Sequence, residues 1–514
     1  MYSKLFVKLN NLMVYVKRIA NCRNTVDSRK SIANALKSQN FQHMTRSITN
    51  STNITSQTKY KFPEAHELCK EFVLSKKVMN EVIERLTKEI KLGLAKATHD
   101  KATVKCFVTY VQDFPSGQER GKYLALDLGG TNFRVLMIEL KSQTDVKIIS
   151  KSFGISKELM TGPGQMLFDF IAECLSKFCT EHNVDKKKEI PLGFTFSFPL
   201  MQQGLDRGIL KVWTKGFICS GVVGQDVVQL LDEAIQRRNE IKIKIVAIIN
   251  DTVGTLMACA FYKCNCRIGL IVGTGTNACY VEKTQNAEMF EANHERTPGG
   301  KEHMIINSEW GAFGDNGVID FLRTPFDKQV DEGSHNPGRQ IYEKCISGLF
   351  LGELVRLILV DLMQKGAIFA NQESHSIQEK GKFLTRFVSE IETDISGAFD
   401  YTDCVLNEIG IRNASDKDKA CLRYICQAVS TRAAQLTACG LVCLINKMDV
   451  KDVAIAIDGS VYRHHPRFHD MLYINMKRLL QKDIEFQLIL SEDGSGRGAA
   501  LIAAAATNSK MNSK

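Results

Sequence analysis

Acidic residues are almost missing from the first fifty positions, where Asp27 stands alone against nine lysines and arginines. That stretch holds a net +8 of the chain's formal +10, which leaves only +2 for residues 51–514. A body so close to neutral lacks the broad basic surface that nucleic-acid binding needs, and that class is excluded. No uninterrupted apolar run reaches the roughly 18–20 residues that span a bilayer. Cysteine is plentiful, sixteen in all, but metal-ligand spacing is not. Cys264 and Cys266 stand close together, with no second Cys/His pair at ligand distance, which argues against a zinc site. The remaining cysteines fall mostly within apolar stretches, among them Cys259, Cys421, Cys439 and Cys443. In a chain this long they read as reduced, packed thiols of an intracellular protein, not as a disulfide frame.

What is present points to an enzyme-sized globular chain. Hydrophobic residues make up 44% and charged residues 24%, the usual globular balance. At 514 residues the chain exceeds one ordinary core, so two packed lobes are expected. The first 58 residues differ in kind. Leu5, Phe6, Leu9, Leu12, Met13, Val16 and Ile19 recur at helical spacing between lysines, the pattern of a basic amphipathic helix. A Ser/Thr/Asn-rich linker, "TRSITNSTNITSQT", follows. This acid-poor, Arg-bearing extension reads either as an organelle-targeting or membrane-surface segment or as an unstructured tail.

From residue 62 strand and helix patterns alternate, which indicates an α/β fold. Helical patterns cover 63–96, 163–182, 341–366 and 417–447; strands are expected at "EIPLGFTFSFP", "IKIVAIIN" and "VAIAIDGS", before a closing Ala-rich helix. Two stretches echo each other. "LALDLGGTNFRVL" and "IGLIVGTGTNACYV" both run apolar strand, Gly/Thr turn, Asn, apolar strand. Such a repeat suggests two related halves facing each other across a cleft.

The first turn does not open a helix, as a dinucleotide or Walker loop must; the strand-like "FRVLMIEL" follows it, so the turn is a hairpin. Backbone N–H groups of Gly129, Gly130 and Thr131 can still approach phosphate oxygens, because glycine has no Cβ to obstruct them. Asp127 ends its strand where a carboxylate can reach a hydrated Mg²⁺. The second turn, Gly273-Thr274-Gly275-Thr276-Asn277, could hold distal phosphates from the opposite lobe. In "IVAIINDTVGT" a buried strand delivers Asn250 and Asp251 to its C-terminal end, where ligands of α/β sheets gather. A carboxylate there suits the proton acceptor of phosphoryl transfer. Helix capping by Asp251 or Thr252 fits the same residues equally well.

Taken in order, "LALDLGGTNFRV", "FTFSFP", "LDRGILKVWTKGF", "NDTVGT", "GLIVGTGTNACYVE", "NSEWGAFGDNG", "YEKCISGLFLGELVR", "AIDGSVYRHHPRF" and "GSGRGAALIAA" resemble the eukaryotic hexokinase family over about 62–507. The match is to a single unit of roughly 50 kDa, with the basic extension as a departure. The resemblance implies two actin-like ATPase lobes with a ligand cleft between them. An N-terminal part, 59–260, would contain the small lobe (about 120–248), and a C-terminal part, 261–507, would be mostly large lobe, its closing helix packing on the small one. It implies a hexose held by Ser197, Thr214, Lys215, Asn250, Asp251, Asn277, Glu309 and Glu343, an inventory that suits a polyol. Asp251, with Lys215 and Arg134, would be catalytic. ATP would meet Asp127, Gly129, Gly130, Thr131, Asn132 and Arg134 at one turn, and Gly273, Thr274, Gly275, Asp458, Gly459 and Ser460 opposite, with Mg²⁺ reached from Asp127 through water. The expected activity is ATP-dependent hexose 6-phosphorylation, the first step of glycolysis, by a cytoplasmic monomer, with mitochondrial or other membrane contact through residues 1–58. A sugar sensor without turnover and an actin- or chaperone-type ATPase are the rival readings; intact Asp251, Lys215 and Asp127 oppose the first, "FSFP" and "VWTKGF" the second.

Overall fold

A computed structural model of the protein describes residues 60–129, 132–185, 188–290, 301–370, 372, 374–395, 397–491 and 493–512. The basic extension therefore lies outside the described residues. Among the described residues thirteen strands follow in chain order: β1 Phe107–Val108, β2 Gly121–Leu128, β3 Asn132–Leu140, β4 Val146–Gly154, β5 Ile190–Phe196, β6 Leu200–Gly204, β7 Arg207–Leu210, β8 Ile243–Ile249, β9 Cys266–Val272, β10 Thr276–Lys283, β11 His303–Asn307, β12 Asp452–Asp458 and β13 Glu485–Leu490. The longer helices are α1 Lys76–Leu94, α2 Gly164–Glu181, α3 Val227–Arg238, α4 Asp251–Ala260, α5 Gly348–Gln364, α6 Asp416–Met448, α7 Phe468–Leu479 and α8 Gly494–Asn512.

One sheet has the order β4-β3-β2-β5-β8, a second β1-β11-β10-β9-β12-β13, and β6 and β7 pair as a separate antiparallel ribbon. In the first, β4, β3 and β2 pair antiparallel, and β5 and β8 then join in parallel. Read from β11, the second sheet repeats that pattern: β11, β10 and β9 antiparallel, then β12 and β13 parallel. The echo between the two glycine turns is thus an echo of whole lobes, since β2-turn-β3 and β9-turn-β10 occupy the same place in each.

Period-two alternation divides the first lobe's core. Leu124, Leu126 and Leu128 of β2 face α2 and α3, whereas Ala125 faces α4 and α8. Small residues on that second face let helices approach closely. A Cβ on Gly193 of β5 would lie 2.0 Å from the Ala499 carbonyl oxygen of α8. The second lobe matches it, where a Cβ on Gly269 of β9 would lie 2.1 Å from the Thr252 carbonyl oxygen of α4. The lobes have exchanged helices: α4 leaves β8 and packs on β9, while α8 leaves β13 and packs on β2, β5 and β8. α6 is long and apolar enough to cross a membrane by composition, yet it is buried along most of its length as the second lobe's core helix.

Two expected helices are broken. The 63–96 pattern divides into Pro63–Cys69 and α1. The 341–366 pattern divides into Ile341–Lys344 and α5, because the Gly348 and Leu349 N–H groups turn away to the Gly273 and Thr274 carbonyls, at 2.7 and 3.2 Å. That break seats the start of α5 on the second glycine turn.

Candidate active site

Asn250 ends the β8 edge and caps α4: its side-chain oxygen accepts the Thr252 N–H at 3.0 Å and the Thr252 hydroxyl at 2.7 Å. The capping role that the sequence left open falls to Asn250. Asp251 takes a second bond from the Thr252 N–H, 2.8 Å to Oδ1. Burial raises its carboxyl above the usual carboxylate range; Lys215 opposes the shift and Asp127 adds to it. Ser197 favours the Asp251 charge, although its buried hydroxyl closes no ordinary hydrogen bond. Lys215, held in the left-handed region at φ 56°, donates to the Ser197 carbonyl at 2.8 Å.

Two more carboxylates meet Asp251. Burial pushes Glu309 up to about 7; an Asn307 hydrogen bond works against the rise, Asp251 and Glu343 reinforce it, and Lys215 opposes it. Burial also raises Glu343, countered first by the Thr276 N–H, which donates to its Oε2 at 2.9 Å. Gly275 is glycine for a visible reason, since a Cβ there would sit 2.6 Å from that same Oε2. Asn277 donates to Glu309 Oε1 at 3.2 Å and lies 3.5 Å from Asn250 Oδ1. Three acceptor carboxylates, amides and one lysine around a common space make a set that receives several hydroxyl protons at once.

The glycine turns form the other half. At the first, strand pairing sets Asp127 opposite Arg134, and Arg134 Nη2 donates to Asp127 Oδ2 at 2.7 Å. Ser495, at the start of α8, donates to the same oxygen at 2.7 Å, and Arg134 also pairs with Asp493. At the second turn, Gly273 faces Gly459 and Ser460: a Gly273 Cβ would lie 3.3 Å from the Gly459 Cα. Asp458 accepts from Gly459 N–H at 2.7 Å, Arg463 at 2.8 Å and Gly494 N–H at 3.3 Å. Residues 493–495 therefore tie the two turns together at the N-terminus of α8, where backbone N–H groups favour anions.

Of the residues expected from sequence, Ser197, Lys215, Asn250, Asp251, Asn277, Glu309 and Glu343 come together around Asp251. Asp127, Gly129 and Arg134 form one turn, and Gly273, Thr274, Gly275, Asp458, Gly459 and Ser460 the other. Thr214 contributes a carbonyl to the Phe217 N–H at 3.1 Å, and Asn132 is exposed beside Gly154. Gly130 and Thr131 lie outside the described residues. Sequence reading missed Asn307, Asp493 and Ser495. Asn307 immediately precedes "SEWG", and Ser495 is the serine of "GSGRG", so both lay inside stretches already singled out.

Models of the hexokinase family match residues 64–261 and 267–505. A solved hexokinase from Schistosoma mansoni, complexed with glucose, is 40% identical, superposes with a TM-score of 0.80, and matches over 86% of this chain and 98% of its own. The chain belongs to the hexokinase family. Hexokinase-1 of Mus musculus is 45% identical over 457 residues, 87% of this chain and 46% of that protein. Hexokinase-1 of Homo sapiens is 44% identical over 457 residues, 87% of this chain and 49% of that protein. The chain spans about half the length of these curated relatives. The two repeated lobes are the actin-like pair of the hexokinase fold.

Proposed function

We propose that the chain transfers the γ-phosphoryl group of ATP to the 6-hydroxyl of a hexose (glucose, mannose or fructose). One observation carries this reading: Asp251, raised by burial and faced by Lys215, Glu309 and Glu343, stands between a polyol-accepting set and two glycine turns joined by residues 493–495. Asp251 accepts the hydroxyl proton as the sugar oxygen attacks phosphorus; a carboxyl shifted towards neutrality suits that task. Lys215 offsets the crowding of negative charge around the sugar. Asn250, Asn277, Glu309, Glu343, Ser197 and Thr214 orient the hydroxyls.

ATP takes the glycine turns: Asp127, Gly129, Gly130, Thr131, Asn132 and Arg134 on one side, Gly273, Thr274, Gly275, Asp458, Gly459 and Ser460 on the other. A single buried carboxylate, Asp127, beside a phosphate turn suits Mg²⁺, which keeps most of its positions for water and phosphate oxygens. Bound there, the ion would neutralise phosphate charge. Arg134 exchanges an Asp127 contact for phosphate when the nucleotide arrives.

We take the body as an N-terminal part, 59–260, and a C-terminal part, 261–507, acting as a cytoplasmic monomer, with residues 1–58 serving membrane or mitochondrial contact. A coupled assay for hexose 6-phosphate over a glucose titration tests the activity. Sugar binding without product would favour a sensor, and ATP hydrolysis independent of sugar would favour a bare ATPase.

A further inference from the structure

Asn307 ends β11, paired in register with Cys279 of β10 and Phe107 of β1. Its side chain is buried and both ends of its amide are engaged. Nδ2 donates to Glu309 Oε1 at 2.8 Å, while Oδ1 accepts from Asn277 Nδ2 at 2.7 Å. The orientation is fixed by its partners. A carboxylate can only accept, so it takes the amide nitrogen; Oδ1 must then face the Asn277 nitrogen. Asn277 Oδ1 in turn accepts the Ala278 N–H at 2.8 Å. Each donor meets an acceptor along the chain Ala278–Asn277–Asn307–Glu309.

Glu309 needs such a tether. Its backbone sits in the left-handed region at φ 53°, which a non-glycine residue occupies only when its surroundings hold it there. One residue, Ser308, separates Asn307 from Glu309, so the brace at the end of β11 and the group it braces lie on the same short stretch of chain. The residue touches no reacting atom. It works through Glu309 and Asn277.

We propose that Asn307 is a positioning residue for the sugar subsite, keeping the Glu309 carboxyl aimed while it fixes the Asn277 amide. This rests on the hexose-kinase reading above. Charged groups around Glu309 are Asp251, Glu343 and Lys215; the two carboxylates disfavour its charge, and Lys215 and Asn307 favour it. Without Asn307 the balance tips further towards the protonated acid, which would offer a sugar hydroxyl a donor where an acceptor is needed.

The test is Asn307→Leu, close in size and without the amide, with Asn307→Asp as a second variant that keeps the acceptor for Asn277 but loses the donor to Glu309. Steady-state KM for glucose and kcat are measured from pH 6 to 9 alongside wild type, and folding is checked by circular dichroism. KM at pH 7 should rise about 10-fold or more, the scale of a lost hydrogen bond to a charged group, with kcat within a few-fold. The acidic limb of kcat/KM should move to higher pH, and the KM defect should shrink as pH rises. An unchanged KM, or kcat and KM altered together with the pH limb in place, overturns the role. If Asn307→Leu does not fold, an Asn307→Asp variant with wild-type KM and pH limb overturns it. Absence of hexose phosphorylation in wild type would instead overturn the underlying reading, and the two failures are distinguished by that control.

Discussion

Gly254 and Gly498 stand backbone to backbone: a Cβ on Gly498 would lie 1.9 Å from the Gly254 carbonyl oxygen, and one on Gly254 would lie 2.5 Å from the Ser495 carbonyl oxygen. This is where the two exchanged helices cross. α4 carries Asp251 at its N-terminus and α8 carries Ser495 at its own, so one crossing sets the relative position of the proposed base and the Asp127 turn.

Gly498→Ala should therefore destabilise the protein, although alanine favours an isolated helix by up to about 1 kcal/mol over glycine. The added methyl meets a carbonyl instead of a yielding side chain, and forced overpacking costs about 1–3 kcal/mol. A lower melting temperature with reduced kcat is expected. A melting temperature at or above wild type would show that the helices part without cost and that the crossing does not set the site.

Asp251→Ala should lose roughly 10²–10⁴-fold in kcat, the range for a positioned acid/base group. Glucose should still bind, weakened by one lost contact, as read by calorimetry. Because Asn250 provides the helix cap, and because burial disfavours the Asp251 charge, the variant should melt no lower than wild type. Near wild-type turnover would remove Asp251 from the chemistry.

The carboxylates also predict opposite pH trends for stability and binding. Glu309 rises from an ordinary 4.5 to about 7 in the fold, so between those values the folded state holds a proton that the unfolded state has released. Stability must then fall as pH rises through that window. Asp251 and Glu343 shift in the same direction. Asp327 and Glu392 are held below their usual range and act at lower pH, outside the window. Thermal melts of the sugar-free protein from pH 4.5 to 7 should show declining stability, and Glu309→Gln should flatten the slope. Glucose affinity should run the other way, strengthening as Glu309 ionises. A wild-type slope unchanged in Glu309→Gln would dissociate Glu309 from the effect.

Much of this was legible in the chain because strand patterning and glycine turns are local signals. The "LDLGGTN" hairpin, the strand before Asn250 and the closing alanine-rich helix each follow from residues that are neighbours in sequence. What stayed hidden depends on distant neighbours. The break before Gly348 arises from a carbonyl at Gly273, 75 positions away by numbering. The helical run around Glu343 does not by itself say that this carboxylate is buried; Gly275, from a distant turn, closes over it. Asn307 has the spacing of an ordinary strand-end residue, and its part emerges only when β10 brings Asn277 alongside. The exchange of α4 and α8 left small residues at Gly193, Gly254 and Gly498, but nothing local says which backbone each one admits.

The two tryptophans give a direct probe of closure. Trp213 is half-buried: its ring stacks on Phe217 at 5.4 Å, meets Phe198 edge-on at 4.9 Å, and its N–H donates to the Cys219 carbonyl at 2.9 Å. Lys215, two residues on, lies 5.6 Å from the Phe198 ring centroid while bonded to the Ser197 carbonyl. A sugar that draws Lys215 inward must disturb that charge–ring arrangement, and indole emission responds to nearby charge. Trp310 is fully buried, its N–H 3.4 Å from the Thr276 hydroxyl and its ring against Gly440, so little around it can move. Glucose should therefore change intrinsic fluorescence mainly through Trp213, and ATP alone should change it less, because the nucleotide need not draw the Thr214–Lys215 loop inward. Glucose titrations of wild type, Trp213→Phe and Trp310→Phe, each checked for activity, separate the two. A full response in active Trp213→Phe would place the moving charge near Trp310 instead, and would mean that the Lys215 loop is already in its sugar-bound position.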